Sequence, residues 1–485
     1  MIGVAAFYWI ANWLGQRKFE KTVAGLKAEG FAVTIEDAFG RKCPAEDDMF
    51  SDPAMAAEMA ADENQRLTSV RRMGFPEISQ RSEAWKITPD LHRRIDVRRW
   101  IDPPPATTAT EAEVATDLLL RIQPQSVRFD ALAPALDRPS AAWAANRQQD
   151  PIDYSQLFSI QGIYEFAHDR AILHLAVGDH EAAAADLDSL LRLIIAASRQ
   201  PCTVSLHDIN RFQRGAFEVV WEGIERGAWT STELAHVQSL IEAYDSEETS
   251  MRAMAGEIAI GSSFGQWALA HPDRFKAGYF LISWKDIGGS FWDAIRARDQ
   301  VQAGRWLKYS WCRVRPLGSD LGDAADDLQF VRSSVLFSGN VRRKSLNAKE
   351  CKHIQGLAWA WTTSPRATFV MAEVCEMTSW IPEITSRQSL IRCGLALERY
   401  RLKCGTYPDT LAVLVPDFLS AVPLDVCDGK PLRYNRLLDG SPHVWTLWPS
   451  GKDEGGLPSA LAEKGNRVWI TGELPGLTDT IWRRP

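Results

Sequence analysis

Close pairs of cysteines are absent from this sequence, so the cysteine spacing gives no sign of a metal or redox site. The 485 residues include eight cysteines, which form neither a CxxC pair nor a Cys/His array. Structural zinc sites need ligands at such close spacings, so we do not expect one here. The sequence also has no Walker phosphate loop and no GxGxxG dinucleotide fingerprint. Nucleotide binding through either of these loops is therefore excluded.

Long apolar runs are also missing, and the strongest one lies at the start of the sequence. Ile2–Leu14 reads IGVAAFYWIANWL and is apolar except for Asn12, whereas about 20 residues are needed to span a bilayer. Three interpretations compete: the end of a membrane anchor, the core of a signal peptide, or a helix of a soluble protein. We favour a partial membrane anchor over residues 1–16, because an exposed segment this rich in aromatic residues would otherwise invite aggregation.

No excess of positive charge is present. Lysine and arginine total 55 against 62 acidic residues, which gives a net charge of -7 at pH 7. Binding to phosphates needs clustered Lys and Arg, so the sequence argues against a nucleic-acid partner. Arg17, Lys18 and Lys21 follow the apolar run. The positive-inside rule would keep that side of a membrane in the cytoplasm, which makes a cytoplasmic body the alternative to a periplasmic one.

A proline-rich stretch divides the chain. Asp102–Thr110 reads DPPPATTAT; three prolines cannot continue a helix, and the small polar residues have little to bury. A chain of 485 residues is also long for a single core. We therefore predict a stalk and linker over residues 17–110, an α-helical domain over 111–380 and a smaller domain over 381–485.

The central region has the periodicity of packed helices. His168–Ala196 contains one helix, a break at Gly178-Asp179, and a second helix whose Ala and Leu residues recur at helical spacing. The segment resembles one helical hairpin of the tetratricopeptide type, although no repeat at a period of about 34 residues is present. Thr230 and Glu233 form the pattern of an N-terminal cap for a further helix. The predicted fold is mainly α, with a body of packed helical hairpins.

The last hundred residues change from a helical to a strand pattern. Leucine and isoleucine recur at helical spacing from Leu390 to Leu402, and Gly405 ends that helix. A short second helical pattern stops at Pro416, because proline supplies no amide donor inside a helix. Short strands follow in the order of an antiparallel sheet. They are predicted at 432–434, 444–448, 468–470 and 481–482.

Three strings in the last fifth of the chain are distinctive: LERYRLKCGTYPDTL at 397–411, PLDVCDGKPLRY at 423–434 and LWPSGKDEGG at 447–456. In this order they resemble the periplasmic domain of the major pseudopilin of type II secretion systems. The resemblance implies a small α+β domain, with a helix over an antiparallel sheet, in the cell envelope.

The surroundings of these strings differ from those in a pseudopilin. Nearly four hundred residues precede Arg387, and neither a prepilin cleavage signal nor its apolar helix stands just before it. We therefore expect a globular domain and not a fibre subunit. The whole arrangement also resembles a group of membrane-anchored bacterial envelope proteins, for which no activity is implied.

The resemblance further implies a calcium loop. In the major pseudopilins the region equivalent to LWPSGKDEGG helps to bind Ca²⁺, a cation that takes six to eight oxygen ligands. Ser450, Asp453 and Glu454 occupy this region here. Ser450 stands where the family usually has an acidic or amide residue, and LPSALAEKG replaces the later acid-rich continuation, so the implied site is weakened.

Five residues of metal-ligating type fall close together in the first hairpin: His168, Asp169, His174, Asp179 and His180. On a helix His168 and His174 are about 600° apart, at about 100° per residue, so they point to different faces. They cannot share an ion without a turn between them. We therefore expect them to be packing or surface histidines.

Glu257 lies in a small and apolar helical pattern, MRAMAGEIAIGSS. A buried carboxylate can have a raised pKa and serve as an acid or base, or it can hydrogen-bond a neighbouring helix. We favour the structural role, because neither a Ser-His pair nor a second carboxylate is identifiable by spacing.

Cys404 and Cys427 flank the turn that leads into the predicted sheet. If oxidised, they would close a loop of about 22 residues, worth about 3 kcal/mol in the chain-entropy model. The alternative is two free thiols. An oxidising compartment would favour the disulfide.

Together these patterns indicate a non-enzymatic, membrane-tethered protein of the cell envelope that acts through protein–protein contacts and is linked to secretion or envelope assembly. The rival hypothesis is an envelope hydrolase that acts on cell-wall or extracellular polymer through a Trp-lined cleft. The 19 tryptophans and Glu257 support that rival. The sequence predicts no catalytic residue and no cofactor apart from calcium.

Overall fold

The computed structural model of the chain describes residues 2–39, 44–61, 65–70, 95–101, 109–139, 141, 155–272, 317–341, 365–438, 440–449, 453, 455 and 479–483. Within them the protein is mainly helical, with a small antiparallel sheet near the C-terminus, as the sequence predicts. Short 3-10 helices lie at Met49–Ser51, Val97–Trp100 and Leu411–Leu414. The α-helices are α1 (Ile2–Ala28), α2 (Ile35–Phe39), α3 (Pro53–Ala60), α4 (Glu111–Arg121), α5 (Gln123–Asp130), α6 (Ala133–Leu136), α7 (Ser155–Val177), α8 (His180–Ser198), α9 (Thr203–Arg226), α10 (Ser231–Glu242), α11 (Ser246–Ala270), α12 (Leu317–Val341) and α13 (Pro365–Cys404).

Helices α7 and α8 form the hairpin that the sequence predicts. Gly178 connects them with a φ of +82°, a left-handed backbone conformation that favours glycine. Asp179 then caps α8, because its Oδ1 accepts the backbone N–H of Ala182 at 3.2 Å. The hairpin packs on α9 to form the centre of the body.

The cap predicted before α10 is also present. Thr230 Oγ1 accepts the backbone N–H of Glu233 at 3.2 Å, and the Glu233 carboxylate accepts the backbone N–H of Thr230 at 2.7 Å. This reciprocal pair satisfies two amide groups that the first helical turn cannot satisfy itself. The sequence pattern therefore identified the start of α10 correctly.

Helix α13 connects the helical body with the sheet. It is 40 residues long, contains Pro382, and packs against α9, α10, α11 and α12 as well as against two strands. It runs without interruption across residues 380 and 381, where the sequence predicts a domain boundary. Gly405 follows its last residue with a φ of +78° and so ends it at the predicted place.

The sheet has three antiparallel strands, β1 (Arg433–Arg436), β2 (Pro442–Pro449) and β3 (Asp479–Arg483), in the order β1-β2-β3. In register, Tyr434 of β1 lies opposite Val444 of β2, which lies opposite Trp482 of β3. The strand predicted at 468–470 lies outside the described residues. The predicted α+β arrangement of the C-terminal region, a helix with an antiparallel sheet, is thus present.

One hydrophobic core joins the body to the C-terminal region. The same cluster of buried side chains includes Leu190 and Phe212 of the body together with Leu395, Leu414 and Val444. A second cluster is formed by side chains of α1, α11 and α12 together with Val33 and Ile381 of α13. Burial of apolar side chains is the main favourable term in folding, so this shared core ties the C-terminal sheet to the body.

Candidate functional site

The N-terminal half of α1 exposes large apolar side chains. The exposed fractions of these five residues, which we call the apolar tip, are Phe7 56%, Trp9 69%, Ile10 48%, Trp13 47% and Leu14 53%. Aromatic and branched side chains of this size are normally buried in a folded protein. A contiguous apolar surface of this kind marks a contact site for a partner or a membrane.

The C-terminal half of α1 fixes the tip to the body. Phe19 is 1% exposed and packs against α11, where Gly265 makes room for it: a Cβ at Gly265 would lie 2.2 Å from the Phe19 ring. Lys18 Nζ lies 2.6 Å from Asp326 Oδ2 of α12. The tip is thus an extension of a helix that is anchored to the body by buried Phe19 and Leu26, and not a separate peptide.

Only a narrow ridge of α1 faces the protein near the tip. Tyr8 and Ala11 are half-buried and Gly15 is buried, whereas the residues between them are exposed. The predicted anchor at 1–16 and the start of the predicted stalk are therefore one continuous helix. Among the residues that the structure describes, no helix combines the length and the apolar character needed to cross a membrane.

His168 is held between two carboxylates. Its Nδ1 lies 3.2 Å from Asp169 Oδ1, and its Nε2 lies 3.0 Å from Glu218 Oε2. Burial opposes the charged ring, but the hydrogen bonds to both carboxylates outweigh it and raise the pKa of His168 to about 9. At neutral pH both ring nitrogens therefore donate, and the ring has no free lone pair for a metal or a proton.

His174 has different neighbours, as the helical spacing predicts. It lies 3.8 Å from Asp179 and 3.9 Å from Asp186, and Arg170 also pairs with Asp186. Burial and the charge of Arg170 lower the pKa of His174. His168 and His174 thus have separate sets of neighbours. Among the described residues, no group of three or more His, Cys, Asp or Glu side chains could hold a metal ion.

The interface between α9 and α13 contains a buried ion pair that the sequence analysis did not identify. Arg387 is 1% exposed and donates to Glu383, one helical turn earlier, and to Asn210 Oδ1 at 2.8 Å. Arg214 Nη2 lies 2.5 Å from the same Glu383 oxygen. Burial would raise the pKa of Glu383, yet the two arginines lower it. Burial also lowers the pKa of Arg387, to about 10.

Glu257 has the structural role that we favoured. Its Oε1 accepts the backbone N–H of Thr203 at 2.8 Å and the Thr203 hydroxyl at 2.6 Å. Thr203 is the first residue of α9, whose own N-cap residue, Cys202, makes no side-chain cap bond. Glu257 therefore caps α9 from α11. Burial raises the pKa of Glu257, and its hydrogen bonds to Thr203 oppose that effect.

One string has the letters of a serine-hydrolase motif that the sequence analysis passed over. Gly261–Gly265 reads GSSFG, and a GxSxG string in a hydrolase forms a strand-to-helix turn that exposes its serine. Here the string lies inside α11, and Ser263 Oγ accepts the backbone N–H of Ile35 at 3.1 Å. It is part of a contact between α11 and the first residue of α2, and not a nucleophile elbow.

The predicted calcium loop is described only at Asp453, because Ser450 and Glu454 lie outside the described residues. Asp453 Oδ1 accepts Trp445 Nε1 and the backbone N–H of Gly455, both at 3.0 Å. These two hydrogen bonds lower the pKa of Asp453. Its Oδ2 lies 3.7 Å from Arg433 Nε. The calcium loop stays a prediction.

Arg433 brings two further carboxylates into the same cluster. It pairs with Asp425, whose side chain is fully buried, and its Nη2 lies 2.5 Å from Asp428 Oδ2. Asp425 Oδ2 also accepts the backbone N–H of Leu447 at 2.8 Å. A calcium ion in this loop would therefore compete with the guanidinium for the carboxylates around it.

Cys404 and Cys427 are free thiols in the structure. Cys404 is exposed at the end of α13, and Cys427 is buried. Burial raises the pKa of the Cys427 thiol to about 12, so it is unreactive at neutral pH. Of the two alternatives that the sequence leaves open, the structure has the free thiols.

The tryptophans whose side chains are described differ in burial, and Trp267 and Trp445 are half-buried. Trp100, Trp221 and Trp229 are buried in the main core, whereas Trp9 and Trp13 are exposed on the apolar tip. Most of the others lie outside the described residues or in segments whose side chains are not described. The Trp-lined cleft stays a prediction.

No protein-family model, curated protein or solved structure matches this chain. Inference about function therefore rests on the positions of the charged and apolar side chains in the structure. The buried charges around His168, Arg387 and Arg433 are engaged by opposite charges of the protein, which suits them to holding helices and strands together. The apolar tip, by contrast, has its large side chains directed outward.

Proposed function

We propose that this protein is a non-enzymatic component of the cell envelope, attached to a membrane by the apolar tip of α1 and acting through protein–protein contacts of its body. The observation that carries the proposal is the exposure of Phe7, Trp9, Ile10, Trp13 and Leu14 on a helix whose other half is firmly packed. Exposed apolar surface is stabilised when a membrane covers it.

The body supports a scaffolding role. Its buried charged groups, such as Arg170 with Asp186 and Arg387 with Glu383, form ion pairs within and between helices. Such pairs fix the relative positions of the elements and leave the ionised groups engaged. A helical body that shares one core with a small sheet offers a folded surface to partner proteins.

The resemblance of the C-terminal region to the pseudopilin domain supports a location in the envelope and a link to secretion or envelope assembly. The helix ended by Gly405 and the antiparallel strands β1 and β2 carry the matching strings. We place the body in the periplasm, and the cytoplasm is the alternative. Protease accessibility of the body in intact spheroplasts distinguishes them, since only a periplasmic body would be digested.

Membrane attachment is tested by fractionation of cells that express the full chain. The test variant, Trp9→Ser with Ile10→Ser and Trp13→Ser, removes most of the apolar tip. The matched control is Leu120→Ser with Val127→Ser, since these side chains are 67% and 64% exposed elsewhere on the body. We expect the wild type and the control in the membrane fraction and the tip variant in the soluble fraction. A wild type found wholly in the soluble fraction would refute the proposal.

Protein contacts are tested by crosslinking in the same cells. We expect the membrane-bound wild type to yield reproducible crosslinks to envelope proteins, and these to be lost when the tip variant leaves the membrane. A membrane-bound chain that forms no crosslink would leave the attachment standing and refute the scaffolding role.

A further inference from the structure

The polarity of α1 changes along the helix axis, from the apolar tip to the charged residues after it. Around the circumference of the tip the polarity hardly changes. From Ala5 to Leu14 the side chains are exposed on most of the circumference, with half-buried positions only at Tyr8 and Ala11. A helix that contacts a partner protein in water has one apolar face and one polar face. The tip has no polar face: Asn12 is the one polar side chain between Ile2 and Leu14, apart from the Tyr8 hydroxyl.

The charges of α1 begin abruptly after the tip. No charged side chain occurs from Ile2 to Gln16, whereas Arg17, Lys18, Glu20 and Lys21 follow in sequence. The guanidinium of Arg17 lies 5.1 Å from the centre of the Trp13 ring. Both signs of charge are present at this level, since Lys18 also pairs with Asp326 of α12.

This order of layers complements a lipid bilayer. A bilayer changes along its normal from hydrocarbon, through an interface that favours Trp and Tyr, to charged headgroups. In α1 the apolar run comes first and contains Tyr8 and Trp9, Trp13 near its end lies beside Arg17, and the charged residues follow. The apolar run Ile2–Leu14 spans about 18 Å at 1.5 Å per residue, which is enough to cross one hydrocarbon leaflet of about 15 Å.

The position of the body agrees with an upright helix. The deeply buried contacts of α1 begin at Gly15 and Phe19, and Gly15 lies close to Gly322 of α12. The body is therefore attached at the charged end of α1.

From these observations we infer that α1 enters the lipid bilayer itself, end-on, with Phe7 and Ile10 in the hydrocarbon and Arg17 to Lys21 among the headgroups. The inference rests on the proposed function, which requires only that the tip attaches the protein to a membrane. It adds that the partner of the tip is lipid and not a membrane protein, and that the helix stands upright and does not lie flat.

The test measures depth in protein-free phosphatidylcholine vesicles. A fluorescent amino acid is placed singly at Ala6, Ile10, Leu14 or Lys21 of the full chain, all of which are exposed, and is quenched by lipids with nitroxide at different acyl positions. For an upright helix we expect the depth to fall by about 6 Å for every four residues, with Lys21 outside the hydrocarbon. These positions share one side of α1, so equal depths would show a flat helix and overturn the inference.

The outcomes separate the inference from the proposed function. A chain that fractionates with cell membranes but does not bind protein-free vesicles would overturn the inference that the tip inserts into lipid. The proposal that the tip attaches the protein to a membrane would still hold. A chain that binds neither would refute both. Circular dichroism of each labelled protein shows that it is folded, and the Leu120→Ser/Val127→Ser variant shows that binding does not depend on exposed apolar residues in general.

Discussion

At the scale of single residues, the most informative group is the carboxylate of Glu383. It lies between Arg387, which is almost fully buried, and Arg214, whose side chain is 31% exposed. Two guanidinium groups thus share one carboxylate at the interface of α9 and α13. An ion pair of this kind adds little net stability, but the loss of one partner leaves an uncompensated charge in the protein interior.

Replacing Glu383 will therefore cost far more than replacing its exposed partner. We expect Glu383→Ala to lower the free energy of unfolding by about 3–5 kcal/mol, because Arg387 would stay buried without its carboxylate. Arg214→Ala is the matched control, since it leaves the pair of Glu383 and Arg387 intact. Denaturant unfolding measures both, and equal losses in the two variants would contradict this account of the cluster.

His168 makes stability depend on pH in the alkaline range. Its pKa is about 9 in the folded chain against an ordinary value of 6.5, so folding favours the protonated ring. The contribution is complete below pH 6.5 and is lost as the pH rises through 9. We expect the unfolding free energy of the wild type, relative to His168→Gln, to fall by about 3 kcal/mol across that range. A difference that is constant with pH would show that the ring is neutral in the folded protein.

At the scale of elements, close approach between helices and loops depends on a few glycines. Gly256 of α11 is the clearest: a Cβ there would lie 1.7 Å from the carbonyl oxygen of Pro201. Backbone atoms cannot move aside as a flexible side chain can. The contact holds the start of α9 against α11, near the cap that Glu257 provides.

Alanine substitutions at two helical glycines should have opposite effects. We expect Gly256→Ala to lower the thermal unfolding midpoint by several degrees, because α11 must shift away from Pro201. Gly25→Ala is the control, since a Cβ at Gly25 meets nothing within 4 Å. There the better helix propensity of alanine should raise stability by about 0.5–1 kcal/mol. A neutral Gly256→Ala would show that the contact is not tight.

The ends of helices were predictable from the sequence where they depend only on neighbouring residues. The hairpin break at Gly178, the cap by Thr230 and Glu233, and the end of α13 at Gly405 all depend on residues within one helical turn. The order of helix and antiparallel strands in the C-terminal region was predictable for the same reason.

Features that depend on tertiary context were not predictable. Glu383 and Arg387 stand one turn apart, like a solvent-exposed pair, and only the packing of α9 against α13 buries them. The exposure of the tip was suspected from its composition, but its continuity with the packed half of α1 depends on α11 and α12. The GxSxG string in α11 shows the converse. Its sequence matches a serine-hydrolase motif, but inside a helix it cannot form the strand-to-helix turn that such a motif needs.

At the scale of the whole molecule, the body and the C-terminal sheet share one core and one helix. Leu414 and Val444 belong to the same buried cluster as Leu190 and Phe212. Helix α13 contacts both regions along a single uninterrupted length. These contacts favour joint unfolding of the two regions, although the sequence predicts a boundary at 380/381.

A core substitution in the C-terminal region should therefore destabilise the body as well. Leu414 is completely buried, and we expect Leu414→Ala to lower the unfolding free energy by about 2–5 kcal/mol. Hydrogen exchange of amides in α8 and β2 measures the two regions separately. We expect both to lose protection equally; a loss confined to β2 would instead support the predicted boundary as a division between two independent domains.

Attachment to a membrane by the apolar tip is the claim on which the functional account depends. The most direct measurement is the affinity of the purified chain for native membrane vesicles. We expect the Trp9→Ser/Ile10→Ser/Trp13→Ser variant to bind on the order of a hundredfold or more weakly than the wild type, since it loses three large apolar side chains. The Leu120→Ser/Val127→Ser control should bind like the wild type. Equal binding by the tip variant and the wild type would contradict the account.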